Sequence, residues 1–95
     1  MSPAVTHLDD EHGGVFCIDE AGTRMAEMTY RRLGESRVLI DHTLVDPRWR
    51  GRGVARQLLD AAVEWARKTD TKLTASCSYV VAQFARDKSL RDVQV

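Results

Sequence analysis

Apolar positions recur with a period of two in the first half of the chain and of three to four in the second. Val15-Phe16-Cys17-Ile18 is a short apolar run ending in Asp19-Glu20-Ala21-Gly22, a segment with turn chemistry. From Arg24 to Arg32 the residues alternate. Met25, Glu27, Thr29 and Arg31 fall on one side and Ala26, Met28, Tyr30 and Arg32 on the other, the signature of a second strand. Leu33-Gly34-Glu35-Ser36 turns the chain. Arg37 to Val45, rich in β-branched and apolar residues, predicts a third strand. Short turns between these three strands favour an antiparallel meander.

Pro47 ends the third strand because it cannot donate to a ladder. Helical periodicity then sets in. Val54, Ala55, Leu58, Leu59, Ala62, Val63, Trp65 and Ala66 form one broad apolar face over Val54 to Lys68, and Glu64 and Lys68 make a favourable i,i+4 pair outside it. Lys72 to Ser76 predicts a fourth strand, which a strand-helix-strand connection makes parallel to the third through a right-handed crossover. Ser78 to Arg86 predicts a second helix, with Ser76 or Ser78 as its cap. Leu90 to Val95 predicts a small edge strand, and residues 1–13, polar and running into Gly13-Gly14, a frayed lead-in.

Ninety-five residues make one domain spanning 1–95, and 43% hydrophobic with 29% charged residues is ordinary globular composition. The net charge is zero but uneven. Residues 1–47 hold nine acids and four bases, and residues 48–95 ten bases and five acids. That split argues against a uniformly basic nucleic-acid binder and for a localised basic site. No apolar run approaches a membrane span and the first residues lack a signal-peptide layout, so the expected compartment is the cytoplasm. Cys17 and Cys77, without close spacing, predict two free thiols. His7, His12 and His42 do not combine with them at zinc-ligand spacing, so no metal is expected.

The chemistry concentrates between the third strand and the long helix. Asp46-Pro47-Arg48-Trp49-Arg50-Gly51-Arg52-Gly53 places two glycines at a helix start among Arg48, Arg50, Arg52 and Arg56. Free backbone N–H groups and the positive end of a helix dipole meet there, which suits a phosphate ester. A Walker loop requires Gly-Lys-Ser/Thr, whereas Val54 and Ala55 follow Gly53. A dinucleotide fingerprint requires a small residue where Arg56 stands.

Arg48-x-x-Gly51-x-Gly53-Val54-Ala55, between a strand and a helix, resembles the coenzyme A-binding motif of the GNAT-type N-acetyltransferases, Gln/Arg-x-x-Gly-x-Gly/Ala. Ile40-Asp41-His42-Thr43, Ala75-Ser76-Cys77-Ser78-Tyr79 and Leu90-x-Asp92-Val93 resemble its minimal, single-domain, cysteine-bearing members, and the likeness covers about residues 14–95. The resemblance implies a reduced GNAT acyl-CoA-binding fold of α/β (α+β) class: an antiparallel meander, then β-α-β-α with the central helix packed on the sheet. It implies an acetyl-CoA-dependent acyltransferase acting on an unidentified amine, as a monomer or weak homodimer. Backbone N–H groups from Arg50 through Val54 to Ala55 would hold the pyrophosphate, with Gly51 and Gly53 admitting its close approach and the arginines adding charge. Thr43, Leu44 and Val45 would pair with the pantetheine arm.

Cys77 begins the second helix, where the dipole favours a thiolate, and the resemblance places it near the thioester. It is the first catalytic candidate and His42 the second, as a general base. Glu27 is a third base and Tyr79 an acid for the leaving sulfur. Cys17, Trp49 and Trp65 are expected to be packing residues. The competing readings are a coenzyme A-binding module without turnover and a basic loop that binds RNA. Neutral net charge and the lack of strand aromatics count against RNA.

Overall fold

The computed structural model describes residues 4–95. Five strands lie in sequence order in one sheet: β1 (Thr6–Asp9), β2 (Gly13–Glu20), β3 (Thr23–Gly34), β4 (Arg37–Val45) and β5 (Lys72–Ala75). Pairing is antiparallel through β4, and β4 and β5 are parallel. Helix α1 (Val54–Thr69) makes the crossover, and α2 (Ser78–Arg86) follows β5. The mixed α+β class and the meander expected from the alternation are both present.

The core lies between one face of the sheet and the helices. Phe16, Ile18, Ala26, Met28, Tyr30, Val38, Ile40 and Leu73 meet Leu58, Leu59, Ala62, Val63 and Ala66 of α1 and Val80 of α2. Leu58 and Leu59 are wholly buried, and each such side chain contributes about 1.5–3 kcal/mol. Asp70 ends α1 in the left-handed region, its N–H bonded to the Ala66 carbonyl.

Four sequence expectations change. The expected frayed lead-in contains β1, paired with β2 from Thr6↔Cys17 to Asp9↔Gly14, and Gly13 and Gly14 lie inside the sheet. The α2 cap is Cys77 rather than either serine, and its side chain makes no capping bond. The tail is a 3-10 turn over Lys88–Val93 with a single bridge, Gln94 to Leu73, because Leu90 and Val93 turn inward to the core. Met25 does not share an exposed face with Glu27. It is the extra residue of a β3 bulge and is 5% exposed.

A second bulge shapes the site. Tyr30 pairs with Ile40 and Thr29 with His42, which leaves Asp41 unpaired. Alternation therefore slips by one along β4. Val38 and Ile40 face the helices before the bulge. After it Thr43 does so, opposite buried Met28, while His42 and Leu44 face outward. Asp41 is held by the Thr29 hydroxyl, Oγ1 to Oδ1 2.6 Å.

The seating of β1 carries a pH dependence. His7 stacks on Phe16 at 4.1 Å and meets Trp65 edge-on at 5.1 Å. Its Nε2 lies 2.6 Å from the Tyr30 hydroxyl, which donates to Asp9 at 2.9 Å, so Nε2 is the donor to Tyr30. Arg32 pairs with Asp9. Burial pushes the His7 imidazole below its ordinary pKa, against the attraction of Asp9. The folded value thus lies under the unfolded one. The stabilisation is complete above the unfolded value of about 6.5 and is lost as pH falls through the folded value. Melting temperature should fall between pH 7 and 5, and His7→Phe should flatten that slope. An unchanged slope in the variant assigns it elsewhere.

Candidate functional site

Local capping builds the loop after β4. The Asp46 carboxylate accepts from the Arg48 N–H at 2.9 Å and from Arg48 Nε at 3.0 Å, closing a 3-10 turn over Pro47–Trp49. These bonds hold the Asp46 carboxyl below the usual carboxylate range and turn Arg48 back on the loop. Trp49 packs against the core, as expected of it. Gly51 and Gly53 follow with φ of +80° and +73°, and Gly53 caps α1. With no side-chain cap there, the first-turn N–H groups face out of the helix end. A Cβ added at either glycine would meet nothing within 4 Å. Within the protein alone their identity answers to the positive φ, and the space beside them is open.

The four arginines divide. Arg48 is held by Asp46. Arg56 bonds Asp60 at 2.8 Å, Gln83 at 2.8 Å and Asp87 at 2.6 Å, bracing α1 against α2. The hydroxyl of Ser89 and Arg56 together hold Asp87 at about 2. Among the described residues Arg50 and Arg52 make no side-chain hydrogen bond or ion pair, and both are exposed. The neighbours of Arg48 and Arg56 were not foreseen. Asp46 was signalled by the Asp-Pro-Arg spacing of a cap, whereas Gln83 and Asp87 lie too far along the chain for any local signal.

A cavity of about 230 Å³ opens at the loop, walled by Val45, Trp49, Arg50, both glycines, Val54, Ala55, Arg56 and Tyr79. Burial raises the Tyr79 phenol above its ordinary value, opposed by Arg56.

The cavity runs into a split in the sheet. β4 and β5 pair from Arg37↔Lys72 to Ile40↔Ala75, and the N–H groups of Ser76 and Cys77 then both reach the Ile40 carbonyl, at 3.0 and 3.3 Å. Beyond that point β4 runs on beside β3 alone. The Asp46 N–H bonds the Met25 carbonyl at 2.7 Å, so by alternation Leu44 turns its backbone polar groups to β3, and Thr43 and Val45 turn theirs to the side where β5 has ended. Leu44, expected to join them, instead projects its side chain outward, 52% exposed.

The two catalytic candidates lie on opposite faces. The Cys77 thiol donates to Thr43 Oγ1 at 3.1 Å on the helix face. His42 lies on the outer face, its Nε2 3.7 Å from Glu27 Oε2. Glu27 also lies 3.5 Å from Arg24. Cys17 is wholly buried, where burial raises its thiol, and Trp65 packs in the aromatic cluster. No helix among the described residues is long and apolar enough to cross a membrane.

Residues 15–93 match the GCN5-related N-acetyl-transferase family. The solution structure of a GCN5-like protein from Staphylococcus aureus superposes with a TM-score of 0.74 at 35% identity, over 95% of this chain and 87% of that one. The ribosomal-protein-alanine N-acetyltransferase of Brucella melitensis shares the fold at 22% identity, with a TM-score of 0.62 over 74% of this chain and 57% of its own. Protein NATD1 of Homo sapiens is 34% identical over 55 residues, 58% of this chain and 49% of that protein. NATD1 of Xenopus tropicalis matches at the same identity over 50% of its length, so the chain spans about half the length of the curated relatives it matches. A family match over most of the chain, on a fold split beside a glycine-arginine loop, shows that the chain belongs to the GCN5-related N-acetyltransferase family.

Proposed function

We propose that the protein is an acetyl-CoA-dependent N-acetyltransferase that transfers an acetyl group to an amine. The observation that carries this reading is the unpaired edge of β4, which leads directly into a loop with free N–H groups and two unpaired arginines. A coenzyme with an amide-bearing arm and a pyrophosphate fits that order of donors. Thr43 and Val45 supply backbone groups to the arm in the manner of strand addition. The N–H groups at the start of α1, with Arg50 and Arg52, receive the phosphates. Arg48 and Arg56, expected among the phosphate ligands, serve instead to hold the loop and α2 in place.

The thioester of the bound coenzyme supplies an activated acetyl carbon and a sulfur leaving group. Around it the chain offers three proton-handling groups. His42 accepts a proton from the amine, from the outer face. Tyr79, which lines the loop cavity and is protonated at neutral pH as an ordinary tyrosine is, donates to the departing sulfur. Cys77, aimed by Thr43, lines the helix side, where a thiolate would serve as base or acyl carrier.

Calorimetric titration tests the reading. Coenzyme A should bind more tightly than its dephospho form, and both should weaken with salt. Cys77→Ala should lower turnover yet keep coenzyme A affinity within about tenfold, roughly 1.4 kcal/mol. Coenzyme binding without transfer to any amine would support the non-catalytic module, and tight RNA binding indifferent to coenzyme A would support the RNA reading. Wild-type turnover in Cys77→Ala would reduce Cys77 to pocket lining and leave His42 as the base.

A further inference from the structure

A second cavity, of about 260 Å³, lies at the ends of β3 and β4 and is not used by the coenzyme reading. Arg24, Met25, Glu27, Leu44, Pro47 and Arg50 contribute to its wall. It shares Val45 and Arg50 with the loop cavity, so the two meet around the end of β4. We propose that this cavity is the acceptor subsite, and that Glu27 selects a small primary amine with an uncharged, apolar body. The inference rests on the N-acetyltransferase reading for its role but not for its binding chemistry.

Three observations carry it. First, position. Glu27 is directly opposite Leu44 and two residues from Thr29, the cross-strand partner of His42. Its carboxylate therefore stands on the outer face beside the stretch of β4 whose backbone edge is unpaired. An amine seated there reaches that edge from the side opposite Cys77.

Second, charge. The other acids near the cavity are engaged. Asp46 holds Arg48 through a backbone and a side-chain bond, and Asp19 takes Arg24 Nε at 2.9 Å. Glu27 has only long contacts, Arg24 at 3.5 Å and His42 at 3.7 Å. The second is beyond hydrogen-bond length, and the carboxylate keeps acceptor capacity for a strong donor such as an ammonium group. Third, size and lining. The volume falls under the roughly 300 Å³ at which drug-sized sites begin. Leu44 and Pro47 present apolar surface to whatever carries the amine. Arg50 is the one further cation in the wall. It faces both cavities, and the coenzyme phosphates draw it to the loop side.

The test reads amine binding separately from transfer. Amide and side-chain NMR signals are followed while propylammonium, and in parallel propionate, is titrated into the protein with and without coenzyme A. Propylammonium should shift Glu27, His42 and Leu44 signals, propionate should not, and Glu27→Gln should weaken the amine by roughly tenfold. In the acetyl-transfer assay the same variant should raise KM for propylamine more than it lowers kcat, with coenzyme A affinity unchanged and with Glu27→Asp intermediate. β-Alanine, of equal reach but carrying a carboxylate, should be the poorer acceptor, and Glu27→Gln should narrow the gap. Shifts elsewhere on the surface, an unaltered amine affinity in a folded Glu27→Gln protein, or a preference for β-alanine would overturn the assignment. Amine binding at Glu27 with no transfer would count against the enzyme reading and leave the subsite standing.

Discussion

Gly53→Val should abolish measurable coenzyme A binding and lower the melting temperature as well. Gly53 sits at φ +73°, a region that a β-branched residue enters only under strain. Left-handed backbone costs an ordinary L-residue about 1–2 kcal/mol. For a domain of this size that is about 4–8 °C of melting temperature per kcal/mol. The binding loss is larger. The new side chain fills space that is open in the protein, where the phosphates would approach the start of α1. Hydrogen bonds to charged groups contribute about 1.5–3 kcal/mol each, so losing two weakens binding by at least about a hundredfold. Gly53→Asn separates the two effects, because asparagine tolerates the left-handed region. It should melt within a few degrees of wild type and still bind coenzyme A about tenfold more weakly or worse. A folded Asn variant with full affinity would remove the phosphates from this loop.

Gly14→Ala should strongly destabilise the sheet. A Cβ there would lie 2.4 Å from the Leu8 carbonyl oxygen and 2.5 Å from the Tyr30 hydroxyl. Neither neighbour can give way cheaply. Leu8 is backbone in the paired part of β1, and the Tyr30 hydroxyl is held by His7 and Asp9. The methyl must detach β1 or expel Tyr30 from the aromatic cluster. Overpacking of this kind costs about 1–3 kcal/mol, and breaking the polar network adds to it. The expected fall in melting temperature is about 10–20 °C, with faster amide exchange along β1. A melting temperature within a couple of degrees of wild type would show that β1 contributes little to stability.

These two glycines also mark the limit of the sequence pattern. Gly51 and Gly53 stand out because arginines surround them and a periodic helix follows. Gly13-Gly14 reads as a chain break, since a residue without a side chain carries no period-two signal. Its purpose, room for Tyr30 and for the neighbouring strands, exists only once the sheet has formed. Met25 was misplaced for a related reason. A bulge adds one residue and changes the face, and no residue type announces it.

Sequence pattern alone was enough for the elements whose signals are local and repeated: the apolar face of α1, the alternation of β3 and β4, the parallel return to β5, and the phosphate-suited loop between them. Local signals suffice there because each rests on residues within a turn or two of one another. How the chemistry is divided depends on contacts that exist only in the folded chain. Arg56 looks like Arg52 in sequence, yet it is committed to Gln83 and Asp87, 27 and 31 positions away. Cys77 and His42 both look like catalytic neighbours of one site. The Asp41 bulge and the end of β4–β5 pairing at Ile40 set Cys77 beside Thr43 on the helix face and His42 beside Glu27 on the outer one. The reason is geometric: which face a strand residue occupies depends on every register shift before it, and a charge is free or paired according to what the fold brings to it from afar.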